Sequence, residues 1–477
     1  MSDDSSTPRA ADNTGPHGAD LDDLVAVVDS PTTQQPGFWP GMTRRLVWFI
    51  DHVAPWIDRL IGHGAAWHGL RPGRRVAVGW IITRLVMLAL LALPQRTIIN
   101  DVLYYADNLA KLNDGQPLTE VLKEYPLPVL LLVGLPWVFS FGSNVVYATL
   151  FIGMMLAFDA AFCRLLYVRA GKQQSPAVTL WLASGPMMGP LMVTRFDIVP
   201  GILAGASVLL LEKRPRLATV FVAMGAAIKL WPAVLLPALA APARTRWRVV
   251  WTTVVSGLVI CGAIVLAGGL DRLLTPLTWQ GDRGLQIESV PALPLMIAWA
   301  VTHDPWVVDF TRFITSEVWG PGDRFMITLA TIATGASLVA MALLWLRAWK
   351  RGATISAETV GWIFLTTTGL LILTNKVFSP QYLLWLSPVA IAMVAVAPRG
   401  DTGVRRFVVL LLTVGILTQV IYPILYLWVS ETYWANIPGV MLLALRDLFL
   451  VGFVVYAWRR AWSETAAPAD DPAPVGS

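Results

Sequence analysis

Apolar runs of roughly 17 to 25 residues recur along most of the chain, separated by short segments rich in Arg, Lys, Asp and Glu. A run of that length, wound as a helix, matches the hydrocarbon thickness of a bilayer and satisfies its own backbone hydrogen bonds there. The expected fold is therefore an all-α polytopic membrane protein. Lys and Arg gather in cytoplasmic loops, so the basic clusters set its direction. They lie at 164–172, 212–216, 244–248, 347–351, 399–406 and 459–460, after an Arg-Pro-Gly-Arg-Arg run at 71–75. Placing all of them on one side predicts spans near 76–94, 144–168, 175–194, 198–212, 216–229, 231–243, 249–270, 324–346, 357–374, 383–398, 405–428 and 438–458. That is about 12 transmembrane helices, with both termini cytoplasmic.

Two segments do not fit as single spans. The apolar run 126–141 would break the parity, so a short helix in the outer interface is expected there. The stretch 217–241 starts and ends beside cytoplasmic charges, which predicts a hairpin of two short helices turning near Lys229. The alternative is one tilted span with an inverted middle section.

The organisation that follows begins with a cytoplasmic segment, 1–75. Its Ser/Thr/Asp/Pro-rich start is expected to be disordered. Its later part, with Trp48, Phe49 and Trp56 among Arg44, Arg45 and Arg59, suits an amphipathic stretch on the inner leaflet. An N-terminal membrane module (76–270) then contains a first extracytoplasmic loop at 94–143. A large extracytoplasmic loop (271–323), a C-terminal membrane module (324–458) and a short cytoplasmic tail (459–477) complete the chain.

Composition narrows the function classes. Only 14% of the 477 residues are charged, where a soluble protein carries about 25%. The formal net charge of +5 sits in short loops and reads as a topology signal, so no nucleic-acid partner is expected. Cys163 and Cys261 lie in apolar runs, where free cysteine acts as a small core residue. No Gly-rich phosphate loop follows a strand. His52, His63 and His68 fall before the first span and His303 stands alone, so no zinc spacing exists. Neither a metal nor a cofactor is expected.

The outward-facing segments hold the candidate chemistry. Asp101 follows the first span, where a carboxylate stays ionised cheaply and is available to take a proton. It also has the type and place of a cap for a helix starting near Val102. Asp107, Glu120 and Glu124 share its loop, and Arg195 and Asp197 flank a span junction. Lys229 lies among apolar residues, where an unpaired cation costs about 3 kcal/mol at a helix centre and less if it snorkels. The large loop reads Arg283-Gly284-Leu285-Gln286-Ile287-Glu288-Ser289, and a later outer turn runs from Asn375 and Lys376 to Gln381 and Tyr382. Arg195, Lys229, Arg283 and Lys376 on one side, with carboxylates among them, suit a phosphate-bearing ligand. The simpler readings are local ion pairs, Arg195 with Asp197 and Arg283 with Glu288. Arg84, Asp159, Arg446 and Asp447 lie within spans and read as structural pairs between helices.

The ordered series Asp101, Tyr125-Pro126, Arg195-Phe196-Asp197, Lys229-Leu230-Trp231-Pro232, the 283–289 motif, and Lys376 with Ser379-Pro380-Gln381-Tyr382-Leu383-Leu384-Trp385 resembles glycosyltransferase family 87. These are C-type integral membrane enzymes that include actinobacterial polyprenyl-phosphate-mannose-dependent α-mannosyltransferases. The resemblance covers about residues 76–458 and departs at Tyr125-Pro126-Leu127-Pro128, where the family more often has a double proline. It implies a GT-C fold and an extracytoplasmic active site in a bacterial plasma membrane. It also implies hexose transfer, with mannose as the sugar, from a polyprenyl-phosphate donor to a cell-envelope glycolipid or polysaccharide, with inversion. By the same resemblance Asp101 would be the base. Lys229, Arg283, Lys376 and Arg195 would hold the donor phosphate, and Tyr104, Tyr105, Gln286, Glu288 and Gln381 would meet sugar or acceptor hydroxyls. The rival is a twelve-span transporter or lipid flippase, which would show paired repeats and midplane charges. A non-catalytic partner in envelope assembly is the third reading.

Overall fold

The structure, a computed structural model, describes residues 71–93, 95–172, 175–398 and 401–466. The expectations for residues 1–70, and for the last part of the C-terminal tail, lie outside the described residues.

Helix α1 (Pro72–Ala92) opens on proline, at a position whose N–H has no intrahelical partner in any case. A 3-10 turn leads into α2 (Ile99–Ala110), and the ten-residue α3 (Val129–Val138) occupies the apolar run at 126–141. Ser143 and Ser175 cap α4 (Asn144–Arg169) and α5 (Pro176–Met188), each side chain accepting from a backbone N–H three residues on. Gly189, at φ 72, turns the chain before the single-turn α6 (Leu191–Thr194). Then come α7 (Ile198–Leu210) and α8 (Pro215–Ile228). At Lys229 the backbone becomes extended, and Pro232 opens a 3-10 turn that continues into α9 (Leu236–Leu239). Helix α10 (Arg246–Gly281) is bent at Gly269 and carries on well past the end expected near residue 270.

Between 282 and 322 the chain combines short strands with one helix. Strands β1 (Leu285–Gln286), β2 (Val307–Thr311) and β3 (Thr315–Trp319) form an antiparallel sheet in the order β1-β3-β2, with α11 (Leu293–Thr302) between β1 and β2. Gln286 pairs with Glu317, and Asp309 faces Glu317 from the other side. The membrane fold is all-helical as expected, and this loop adds a small sheet whose hairpin of β-branched and aromatic residues suits a pleated surface. Leu285, Ile287, Met296, Trp299 and Val318 of this loop bury against Ile421, Val429 and Val440, which anchors the sheet to the later helices.

The remaining elements are α12 (Asp323–Lys350), α13 (Ala357–Thr374), α14 (Leu383–Val396), α15 (Thr402–Gln419) with a π-helical turn at Val420–Ile424, α16 (Leu427–Ser430) and α17 (Asn436–Glu464). Among the described residues seven helices are long and apolar enough to cross a membrane: α1, α4, α10, α12, α13, α15 with its π turn, and α17. The other segments expected as full spans are shorter helices. The break at Gly189–Pro190 interrupts the run 175–194, which hydropathy alone reads as continuous, whereas the turns at Lys229 and before Pro380 fall between expected segments.

That shortness shapes the molecule. The 26 residues of α4 rise about 39 Å, whereas the 13 of α7 and 14 of α8 rise about 20 Å, less than a bilayer core of about 30 Å. One end of the bundle is shared and basic. Arg460 pairs with Glu358, Asp401 and Glu464 at 3.1–3.4 Å, Arg246 donates to the carbonyls of Ala241 and Trp349, and Arg169 approaches Glu212, just past the end of α7. From that shared end α7 and α8 stop short, leaving a recess at their far ends. Helix α7 packs between α8 and α14. A Cβ on Gly201 or Gly205 would overlap the Leu384 or Pro388 carbonyl, so these two glycines permit the close approach of α7 and α14.

In the interior, Arg84 on α1 is clamped by Asp159 on α4 at 2.6 and 2.8 Å and donates to the Trp181 and Leu182 carbonyls. It is the expected interhelical pair. Arg446 and Asp447 differ from expectation: they pair with each other along α17, and Arg446 also reaches out to the loop.

Candidate active site

The recess is organised by the junction of α6 and α7. Arg195 closes α6 in extended conformation (φ −121°, ψ 132°), and two residues later Asp197 is already turning into α7. The two charged side chains therefore leave the backbone in different directions. The local Arg195–Asp197 pair does not form, and each residue is taken by a partner from a distant stretch.

Arg195 grips Asp101 of α2 through both carboxylate oxygens, Nη2 to Oδ1 at 2.6 Å and Nε to Oδ2 at 2.9 Å. This bidentate geometry is the strong form of a charge-assisted pair. Asp101 is the third residue of α2, beyond the Ile98 cap position, and no side chain caps that helix, so the capping reading is overturned. The pair is partly open, with side-chain exposures of 17% and 16%. Burial raises the Asp101 carboxyl above its ordinary range, and Arg195 opposes that rise. A carboxylate so placed is a better base than an exposed one.

Asp197 is fully buried and accepts from Lys229 Nζ at 2.6 Å and from Trp385 Nε1 at 2.7 Å, both on Oδ1, leaving Oδ2 without a partner. The extended backbone at Lys229 ends α8 and points the side chain inward. Four rings surround its ammonium at 5.1–5.7 Å: Trp385, Tyr382, Tyr125 and Phe196. Trp385 is stacked between Trp231 and Tyr382. The anion that Lys229 meets in this structure is thus Asp197, inside an aromatic cage.

A second cluster lies where the small sheet meets the end of α13. Arg283 stands 4.0 Å from Glu317 Oε1, which also accepts from the Gly284 N–H at 3.2 Å. Lys376 donates to the Gly281 carbonyl at 2.8 Å, and the Gln286 N–H donates to the Lys376 carbonyl at 3.0 Å. Burial pushes the Glu317 carboxyl up, opposed by Arg283. Burial lowers the Lys376 ammonium, opposed by Glu317. Ser379 reaches the Gln286 side chain at 3.5 Å. Tyr382 bridges the clusters, within electrostatic reach of Arg283 on one side and of Asp197 and Arg195 on the other.

Glu288 does not pair with Arg283. Its carboxylate lies 3.2 Å from Arg446, whose guanidinium also donates to the Glu288 carbonyl, and its side chain is 1% exposed. Burial, opposed by Arg446, pushes its carboxyl up to about 7. Such a residue fastens the loop to α17. Tyr104 donates to Glu124 at 2.6 Å, Tyr105 is buried against Phe151 and Phe196 with its hydroxyl unpartnered, and Gln381 is buried in the turn before α14.

Two contributors, Glu317 and Tyr422, escaped the sequence reading. Glu317 lies in a loop of ordinary composition and gains meaning only through β3. Tyr422 reaches the Asp101–Arg195 pair because the π-helical turn interrupts α15 there. Asp197 was visible, but its bonds to Lys229 and Trp385 depend on α7, α8 and α14 ending at one level.

An integral membrane protein with an acid–cation site recessed at the ends of short helices is the class defined by this arrangement. The family model described as Glycosyltransferase family 87 matches residues 124–380, more than half of the chain, and the protein belongs to that family. Glycosyltransferase activity and the GT-C fold follow from that membership. The matched segment includes Arg195, Asp197, Lys229, Arg283, Glu317 and Lys376; Asp101 precedes it and joins the site through Arg195. Searches of curated proteins and of solved structures returned no significant match.

Proposed function

We propose that the protein transfers a hexose, mannose by the family resemblance, from a polyprenyl-phosphate donor to a cell-envelope glycolipid or polysaccharide at the extracytoplasmic face. The observation that carries this reading is the Asp101–Arg195 pair, a partly open carboxylate held in fixed orientation inside a recess that also contains cations. Basic residues at the opposite end of the helices support an outer position for the recess by the positive-inside rule.

In the proposed reaction Asp101 takes the proton of the acceptor hydroxyl as its oxygen attacks the anomeric carbon. The bond from that carbon to the phosphate oxygen breaks, and the polyprenyl phosphate leaves with the electron pair. In-line attack inverts the anomeric centre, so a β-linked donor gives an α product. A phosphate leaving group needs no acid, but its charge has to be held. Arg283 and Lys376 suit that task, since neither makes a close, charge-neutralising contact. Arg195 is better assigned to orienting Asp101, and Lys229 to holding Asp197 and the aromatic wall.

A panel assay tests the reading. Purified protein is incubated with polyprenyl phosphates bearing mannose, glucose, galactose or arabinose and with membrane glycolipid acceptors, and the product linkage is read by NMR. Transfer from the mannosyl donor with an α product is expected. A β product, or transfer only from nucleotide sugars, contradicts it.

A further inference from the structure

Arg272 is a buried cation to which the reaction above gives no task. It sits on α10 just past the bend, where Gly269 leaves helical geometry at φ 78. A Cβ on Gly268 would come within 2.9 Å of the Arg272 stem, so the two glycines together let the helix turn and the side chain pass. Its guanidinium is bound by carbonyls. Nη1 donates to the Tyr125 carbonyl at 2.9 Å and to that of Lys123 at 3.5 Å, and Nη2 donates to the Val121 and Leu122 carbonyls at 3.1 Å each. Glu124 and Glu120 act on it from longer range. The strap 121–125 thus turns its carbonyls to one side, and Leu122 does so in the left-handed region at φ 48. A side chain other than glycine keeps such a conformation only where its surroundings enforce it, and carbonyl dipoles that converge repel one another without a cation between them.

We infer that Arg272 is a positioning residue for the recess: it holds the strap so that Tyr125 forms the wall over Lys229 and Glu124 fixes α2 beside Asp101. The Tyr125 ring centre lies 5.4 Å from Lys229 Nζ, and the ring packs edge-on against Phe196 at 4.9 Å. Glu124 accepts from Tyr104, one turn along α2 from Asp101. The strap therefore reaches both charged pairs of the recess, while Arg272 acts on them through it. A planar fork suits this task, since its donors spread over several carbonyls where a Lys ammonium is a single point. The bearing on transfer rests on the reaction proposed above; the placement of Tyr125 does not.

The test puts 3-fluorotyrosine at position 125 of the full-length protein in nanodiscs and reads its fluorine NMR signal beside amide exchange along the chain. Arg272→Met should move the signal toward that of free fluorotyrosine. It should also speed exchange at 121–125 by at least about tenfold, with the long helices protected as in wild type. Arg272→Lys should fall between the two, and Lys123→Ala, whose side chain pairs with Glu120 near the surface, should change neither reading. In the transfer assay Arg272→Met should lose about ten- to a hundredfold in rate, and Tyr125→Leu a similar amount. Combining them should cost less than about twofold more than the worse of the two, because both act through one wall. An unmoved fluorine signal, exchange that rises equally in every helix, or fully additive losses overturns the inference. Where Arg272→Met does not fold, the same readings on Arg272→Lys decide. A signal that moves as expected in a protein whose wild type transfers no sugar would count against the proposed reaction alone.

Discussion

Asp101 and Arg195 form the pair on which the chemistry turns, and each sets the behaviour of the other. Burial raises the carboxyl, which makes it more basic, and the guanidinium opposes that rise. Removing the cation takes away only the lowering influence. Arg195→Gln should therefore move the acid limb of the transfer rate to higher pH by about 1 to 3 pH units, because activity is lost as pH falls through the Asp101 pKa. Arg195→Lys, with a single point charge in place of the fork, should restore part of that shift. A pH–rate profile of each variant checks this, and an unmoved acid limb in Arg195→Gln contradicts the orienting role. At this scale the sequence made the residue types legible but not their partners. Arg195 and Asp197 look like a local pair two residues apart, yet the backbone is extended at one and helical at the other, which sends them to Asp101 and Lys229. The simpler reading paired Glu288 with Arg283, and tertiary structure gave Glu288 to Arg446 instead.

The short helices turn these side chains into a site. Hydropathy identified the apolar runs and the long helices correctly, because length and apolar content are all that a span requires. It missed the break at Gly189 and Pro190, which ends a helix inside a run read as one span, whereas the turns at Lys229 and before Pro380 fall between segments it had separated. It also missed the sheet, whose five-residue strands are too short to stand out in an otherwise helical chain. The contact of α7 with α14 holds Asp197 against Trp385 and depends on Gly201 and Gly205. Gly201→Ala places a methyl against the Leu384 backbone, which cannot move aside as a side chain can. A loss of about 1–3 kcal/mol is expected from such overpacking, read as a lowered unfolding temperature in detergent together with reduced transfer. An unchanged melting temperature would show that the two helices are not in contact at this point.

For the whole molecule, the basic end of the bundle, the recess at the opposite ends of α7 and α8, and the sheet anchored over the end of α13 combine into one device. Charges that a bilayer would reject are gathered where short helices leave room for water and headgroups, and the long helices around them keep contact with lipid. The sequence predicted that acid and cations face one side; their separation into an Asp101–Arg195 pair, a caged Lys229 and an Arg283–Glu317–Lys376 cluster needed the fold. The central claim is that Asp101 removes the proton from the acceptor. It is tested most directly by single-turnover transfer from preloaded donor, comparing wild type with Asp101→Asn and Asp101→Glu, alongside donor affinity and melting temperature. The account predicts that Asp101→Asn slows transfer by about 10²- to 10⁴-fold while donor affinity stays within a few-fold, with Asp101→Glu recovering part of the rate. Transfer at near wild-type rate in a folded Asp101→Asn protein would contradict it.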